Sequence, residues 1–376
     1  MSFLSRRRIL APSTIAFAAA IARGMPRTSV AAIATAIIAT IMPAAQADQP
    51  TNLQGPTGFV YTADERGNSI SAIDLANGSV ETAPVEITPH NVQITPDEAW
   101  LLAVGDSLDG AAGHGHDASG HGSKAAGRLL VLDAARLSAG PIASIEVGDH
   151  PAHVVTDPNG TRAFVTLAGE NAVAIVDLSR SEVVRKVAVG RYPHGLRISP
   201  DGKLAYIADV EENAVSVVDT STFSEVARIP VGKAPVQVGF TPDGRRAYVS
   251  LRDENMVAVI DTATRSVIAK VPVGRNPIQV YATPDGAFVY VANQGSEAEP
   301  ADTVSVIDVA GGKVVGTIRT GAGAHGVSVS KDGRYAFITN IVDSTVSIID
   351  TESRSVIGTR AVGKGPNGIT FRSDGM

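Results

Sequence analysis

Cysteine is absent from all 376 residues. That gap excludes disulfides, thiolate metal sites, covalent c-type haem attachment and cysteine nucleophiles. Basic charge is also short: 32 Lys and Arg stand against 38 Asp and Glu, a net charge of −6. The first 47 residues hold five arginines and no acid, so their removal would leave −11. A surface that acidic argues against nucleic-acid binding, because phosphate contacts need clustered Lys and Arg. After residue 47 no run is long and apolar enough to span a membrane, so no membrane insertion is expected. Catalytic signatures are missing as well. There is no G-x-S-x-G elbow, no P-loop, no H-E-x-x-H, and no carboxylate pair that the sequence places together. The chain therefore reads as a non-enzyme.

What is present is a repeat. Val189–Asp219, VGRYPHGLRISPDGKLAYIADVEENAVSVVD, returns at Val231–Asp261 and Val273–Asp308. Looser copies lie at Thr320–Asp350, Val147–Asp177 and His90–Asp133. The closing Asp recurs at 177, 219, 261, 308 and 350, in steps of 42, 42, 47 and 42. A period in the forties built of strand-like runs marks a repeat architecture. Within the unit Val231–Pro272 the runs are Val236–Thr241, Ala247–Ser250, Met256–Ile260 and Ser266–Val271, rich in Val, Ile, Tyr and Thr. Pro242-Asp243-Gly244 and Asp261-Thr262-Ala263-Thr264 separate them with residues that set turn dihedrals and cap backbone N–H groups. One unit is thus a four-stranded antiparallel meander, A-B-C-D. A single meander cannot bury both faces, whereas a ring of them can.

Six full units occupy 90–145, 147–187, 189–230, 231–272, 273–319 and 320–361. After them comes a lone strand A, Val362–Phe371, while Phe59–Asp74 supplies strands B and C with no A before them. The two fragments complete one blade, so the fold class is an all-β, seven-bladed β-propeller closed by both ends of the chain. An open eight-bladed ring would need half a blade missing at each end. The recurring VG-x-x-P, PDG and strand-B segments (Tyr206-Ile207-Ala208, Tyr248-Val249-Ser250, Tyr290-Val291-Ala292-Asn293, Phe337-Ile338-Thr339-Asn340) resemble the YVTN family of β-propeller repeat proteins. The resemblance spans 56–376. It implies the fold and leaves the function open, since such propellers serve as enzymes, electron-transfer partners, ligand binders and scaffolds.

Residues 1–47 read as a cleaved export signal ending at Ala45-Gln46-Ala47, with 48–376 the propeller. Ser5-Arg6-Arg7-Arg8-Ile9-Leu10 resembles a twin-arginine motif, while a start at Met25 would leave an ordinary secretory signal. Either route places the mature protein in the periplasm or outside the cell. Two insertions break the period, both between strands B and C. One is the His-rich loop 105–127, the other the acidic stretch Gly295–Asp302.

All eight histidines fall at one end of the ring, where the B–C and D–A connections lie. His114, His116 and His121, with Asp117, sit in the His-rich loop; His150 and His153 flank a D–A entry. His90, His194 and His325 hold equivalent positions at the start of strand A, where the other blades carry Ala152, Val236, Ile278 and Asn367. Imidazole is the commonest nitrogen ligand for zinc, with copper and nickel as alternatives, and a site without cysteine must use His and carboxylate. The candidate metal ligands are therefore His114, His116, Asp117, His121, His90, His153, His194 and His325. For the strand-A histidines a plain structural role in the D–A turn is the competing reading. The loop may be read as a solvated insert that binds metal as weakly as any polyhistidine tag. The seven aspartates closing strand C read as turn caps, the strand-B aromatics as packing, and Trp100 as core. Arg191, Lys233, Arg275 and Lys364, after VG, add positive charge to the His end.

The functional expectation is a metal-binding, chaperone-like envelope protein whose partners are a metal ion and a periplasmic binding protein or other envelope protein. An exported propeller with a His-rich stretch loosely resembles the periplasmic propellers that supply zinc to transporter binding proteins. A protein- or glycan-binding scaffold and a lactonase-like enzyme working in the channel are the alternatives. Asn91, Asn367, Gln237 and Gln279 are the side chains that keep the last one open.

Overall fold

A computed structural model describes residues 55–108 and 126–374. It contains seven four-stranded antiparallel sheets, each with its strands in sequence order apart from the sheet that joins the chain ends. In that sheet the order is Pro366–Arg372, Phe59–Asp64, Ser69–Asp74, Val80–Pro84, so the last strand of the chain supplies strand A for the first three. Counting this as blade 1, blades 2 to 7 begin at Ile87, Pro151, Pro193, Pro235, Pro277 and Ala324. The seven-bladed ring with shared closure is as expected from the repeat count. The A strands of neighbouring blades touch all the way round and line the central channel. Between blades pack the strand-B aromatics: Tyr61, Tyr206, Tyr248, Tyr290, Phe164 and Phe337 are each under 2% exposed.

The repeat signature has a local cause. In blade 4 the carboxylate of Asp209, at the end of strand B, accepts from the Ser216 hydroxyl at 2.6 Å and the Ser216 N–H at 3.1 Å. A Cβ added to Gly190 would lie 2.5 Å from Asp209 Oδ2, so the VG glycine is demanded by the B-strand acid beneath it. Asn293 and Asn340 do the same work in blades 6 and 7, donating to Ser305 and Ser347 at 3.0 and 2.9 Å. The aspartates at 74, 133, 177, 219, 261, 308 and 350 each accept a backbone N–H from two or three residues on, as expected for turn caps.

Two details differ from the sequence reading. Trp100 is 39% exposed. It opens strand B opposite Asp133, at the turn end of the sheet, where it lines an open cleft between blades 2 and 3. Strand A of blade 2 starts at Ile87, three residues before His90. Strand B there runs on to Ser107 toward the insertion, and Ile87–Pro89 pair with this extension. The acidic insertion is likewise partly strand, with Gly295 paired to Pro300. Residues 109–125, which carry His114, His116, Asp117 and His121, and the expected export signal at 1–47 lie outside the described residues.

Candidate metal centre at the channel mouth

Every strand A is bulged at its entry. In blade 4, Pro193 pairs with Asp209 and Leu196 with Ile207, so His194-Gly195 oppose the single residue Ala208. The same irregularity recurs in the other six blades. A bulge breaks the strict up-down alternation of a strand and re-aims a side chain. Here it lets the imidazole of His153, one position later in its strand than His90 and His194, meet both of them. Gly195 is needed beside His194 because a Cβ there would collide with Val236 O and Gln237 Oε1 of blade 5.

Blades 2, 3 and 4 thus deliver His90, His153 and His194 to one point. His90 Nε2 and His194 Nε2 are 3.1 Å apart, and one ligand atom from each of the three lies within 4.8 Å of the others. The ring centroids are 5.7 Å (90–153), 5.1 Å (90–194) and 4.9 Å (153–194) apart. His194 Nδ1 is 3.2 Å from Val236 O, which places its proton on Nδ1 and turns the Nε2 lone pair inward. His90 Nδ1 is 3.4 Å from Glu65 Oε1 and 3.1 Å from Asn367 Nδ2, and that amide also donates to Glu65 Oε2 at 2.7 Å. The carboxylate behind an imidazole is the arrangement that orients a metal-binding histidine. His153 Nε2 is buried with no hydrogen-bond partner. An orphaned polar atom at a cluster of like groups is costly unless something binds it.

Electrostatics favour the neutral, ligand form of His153, His194 and His325. Burial, and then the neighbouring histidines, hold His153 and His194 well below the ordinary imidazole value. Burial, and then His90, push His325 down to about 4. Burial would raise the Glu65 carboxyl, but His90, the Asn367 amide and His325 outweigh it and bring it down to about 2. The site therefore sets one carboxylate beside two rings, His153 and His194, that are held in the form that offers a lone pair.

The eight expected ligands separate accordingly. Three converge: His90, His153 and His194. His325 lies at the same end, but its Nδ1 is held 3.3 Å from Asn367 O and it does not join the trio. The four loop residues lie outside the described residues. His150 pairs with Asp106 at 3.0 Å instead. Of the cations after VG, Arg191 and Arg275 pair with Glu212 and Glu299, at 3.5 and 2.8 Å. Glu65 was not among the expected residues. It sits in a short 3-10 turn, Glu65–Gly67, anchored by its N–H on Gly365 O at 3.0 Å. Acids are common in the B–C loops of this chain (Glu170, Glu211, Glu254), so nothing in the residue string sets Glu65 apart.

Among curated proteins none matches the chain. Two solved structures share its fold. Kuenenia stuttgartiensis hydrazine synthase is 23% identical, with a TM-score of 0.64 over 75% of this chain and 89% of that one. A functionally unknown protein from Desulfotomaculum acetoxidans is 17% identical, with a TM-score of 0.69 over 85% of this chain and 100% of that one. At such identities the likeness concerns architecture alone. A family model matches residues 133–376, well over half of the chain, and by that match the chain belongs to the YNCE-like beta-propeller family.

Proposed function

We propose that this propeller binds a transition-metal ion, zinc by preference, at the channel mouth through His90, His153 and His194, with Glu65 as the carboxylate behind His90. The observation that carries the reading is the convergence of three imidazoles from three consecutive blades. A tetrahedral zinc with bonds of about 2.05 Å sets its ligand nitrogens about 3.3 Å apart. The His90–His194 pair already stands at 3.1 Å. Nitrogen ligands without sulfur suit zinc, copper and nickel rather than the hard, oxygen-seeking ions. The His-rich loop springs from the blade that carries His90 and serves as a collector for the mouth. In this reading the protein acts outside the cytoplasm as a metal-binding, chaperone-like component that hands its ion to an envelope partner, and it is not an enzyme.

The test is zinc titration by calorimetry, with metal content by mass spectrometry, on the full chain without an affinity tag. One site per chain is expected. His90→Ala, His153→Ala and His194→Ala should each weaken it by more than the roughly 10–100-fold that loss of an orienting partner costs. Wild-type affinity in all three variants would refute the site. One observation favours a second reading: three protein ligands leave a fourth position for water, as in hydrolytic zinc sites. Zinc-dependent turnover of a lactone panel, lost in His194→Ala, would move the protein to that class.

A further inference from the structure

The far end of the channel carries a second, unrelated feature. Arg197 lies in strand A of blade 4, three residues along from His194. Among the described residues no carboxylate pairs with its guanidinium. Its Nη1 donates to the adjacent Leu196 O at 3.1 Å, and its Cζ lies 5.9 Å from the Tyr281 ring centroid. Burial lowers its pKa from the ordinary arginine value, although the side chain is only half-buried and keeps some contact with solvent. Arg228, by contrast, is paired with Glu225 at 2.9 Å.

The surroundings of Arg197 are those of an oxyanion site. It lines two adjoining cavities of about 230 and 270 Å³, and Tyr281 is common to both. At the same level of the channel stand Gln93, Ser328 and Thr370, which line the smaller cavity with it. Gln93 donates one amide N–H to Ile94 O at 3.0 Å and keeps the other. Thr370 Oγ1 accepts from Ile94 N–H at 3.3 Å and keeps its hydroxyl proton. The equivalent positions in blades 3 and 5 are Val155 and Gly239, so this ring contains no acid. Glu98 at the rim of the smaller cavity is paired with Lys331 at 2.6 Å and accepts a hydrogen bond from the Ser373 hydroxyl at 2.5 Å. A desolvated charge without a partner is expensive, and a planar guanidinium is matched by a carboxylate or phosphate that takes two N–H bonds at once.

We propose that the end of the channel opposite the histidines binds a small oxyanion, a short carboxylate or a phosphate, on Arg197, with Gln93, Ser328 and Thr370 donating to its remaining oxygens and Tyr281 walling one side. The cavity volumes suit a small ligand. The site shares no residue with the metal reading, although the Arg197 charge stands near enough to His153 to help lower that imidazole.

The test is calorimetric titration of the untagged full chain with acetate, succinate and inorganic phosphate in turn, at fixed ionic strength. Saturable binding at one site per chain is expected for at least one probe. Arg197→Gln should weaken it about tenfold or more, as the loss of a charge-assisted pair implies. Arg197→Lys, which keeps the charge and loses the planar fork, should fall between, and it carries the test if the glutamine variant fails to fold. His90→Ala should leave anion binding unchanged. Binding of acetate or succinate alone assigns a carboxylate, and binding of phosphate alone assigns a phosphate. No saturable binding by any of the three in the millimolar range, or equal binding in wild type and both arginine variants, would overturn the site.

Discussion

At the scale of single residues, the B-strand acid shows how a repeat tolerates a liability. Asp209 is fully buried, and burial raises its carboxyl to about 7 against the hydrogen bonds from Ser216 that lower it. An acid whose folded pKa is raised is protonated in the fold at a pH where the unfolded chain has already released the proton. Its contribution is therefore whole below about pH 4 and is lost as pH rises through about 7, on the order of 4 kcal/mol across that window. Blades 6 and 7 already use asparagine at this position, at 293 and 340. Asp209→Asn should accordingly raise the melting temperature at pH 8 by several degrees and leave it nearly unchanged at pH 4.5. Thermal unfolding at the two pH values checks this, and an equal shift at both would show that ionisation is not the cause. Asp64, raised by burial to about 6, works in the same direction in blade 1.

At the scale of elements, the bulged entry of strand A is the unit that brings the three histidines of the proposed metal site together. It also makes a site distinguishable from a mobile histidine tract by its pH dependence. Unhindered imidazoles near their usual pKa take up protons below about pH 6.5 and release metal there. His153 and His194 are held well below that value, so protons compete for them only at much lower pH. Zinc affinity of the full chain should thus fall less between pH 7.5 and pH 5.5 than that of a peptide spanning the loop, and an equal fall would point to the loop as the binder. The loop is separable from the blade that bears it, since strands B and C are paired up to Asp106 and Gly127. Joining residue 108 to residue 126 by a short glycine linker should preserve both the melting temperature and the one-site zinc isotherm. Glu65→Gln probes the orienting carboxylate: about a 10–100-fold loss of zinc affinity with the fold intact is expected.

At the scale of the whole molecule, closure of the ring ties the integrity of the fold to the proposed site. Blade 1 is assembled from residues more than 290 positions apart, with Phe59 opposite Arg372 and Val60 opposite Phe371. Its strand A supplies Asn367, whose amide bridges His90 and Glu65. Removal of residues 362–376 should leave Phe59–Asp64 as an exposed edge and strip Phe337 of its stacking partner Phe371, whose ring centroid is 5.4 Å away. The expected outcome is a broad, non-cooperative melt and loss of the zinc site. A sharp wild-type melt would show that the six remaining blades hold the ring without the closure.

The residue string was enough for the architecture, because a fold of near-identical units writes its strand lengths, turns and blade count into a period. The surplus strand A at one end and the missing one at the other were legible as a single split blade. The string also placed the histidines at one end of the ring, and the five among the described residues lie there. It did not say which of them meet. His90 and His194 share a register and His153 does not; only the bulges and the ring curvature bring the three together, while His325, in the same register, turns to Asn367. Glu65, Trp100 and Arg197 were beyond reach for the same reason. Their character depends on what faces them from another blade, and a local pattern carries no record of which residues the closed ring sets opposite one another.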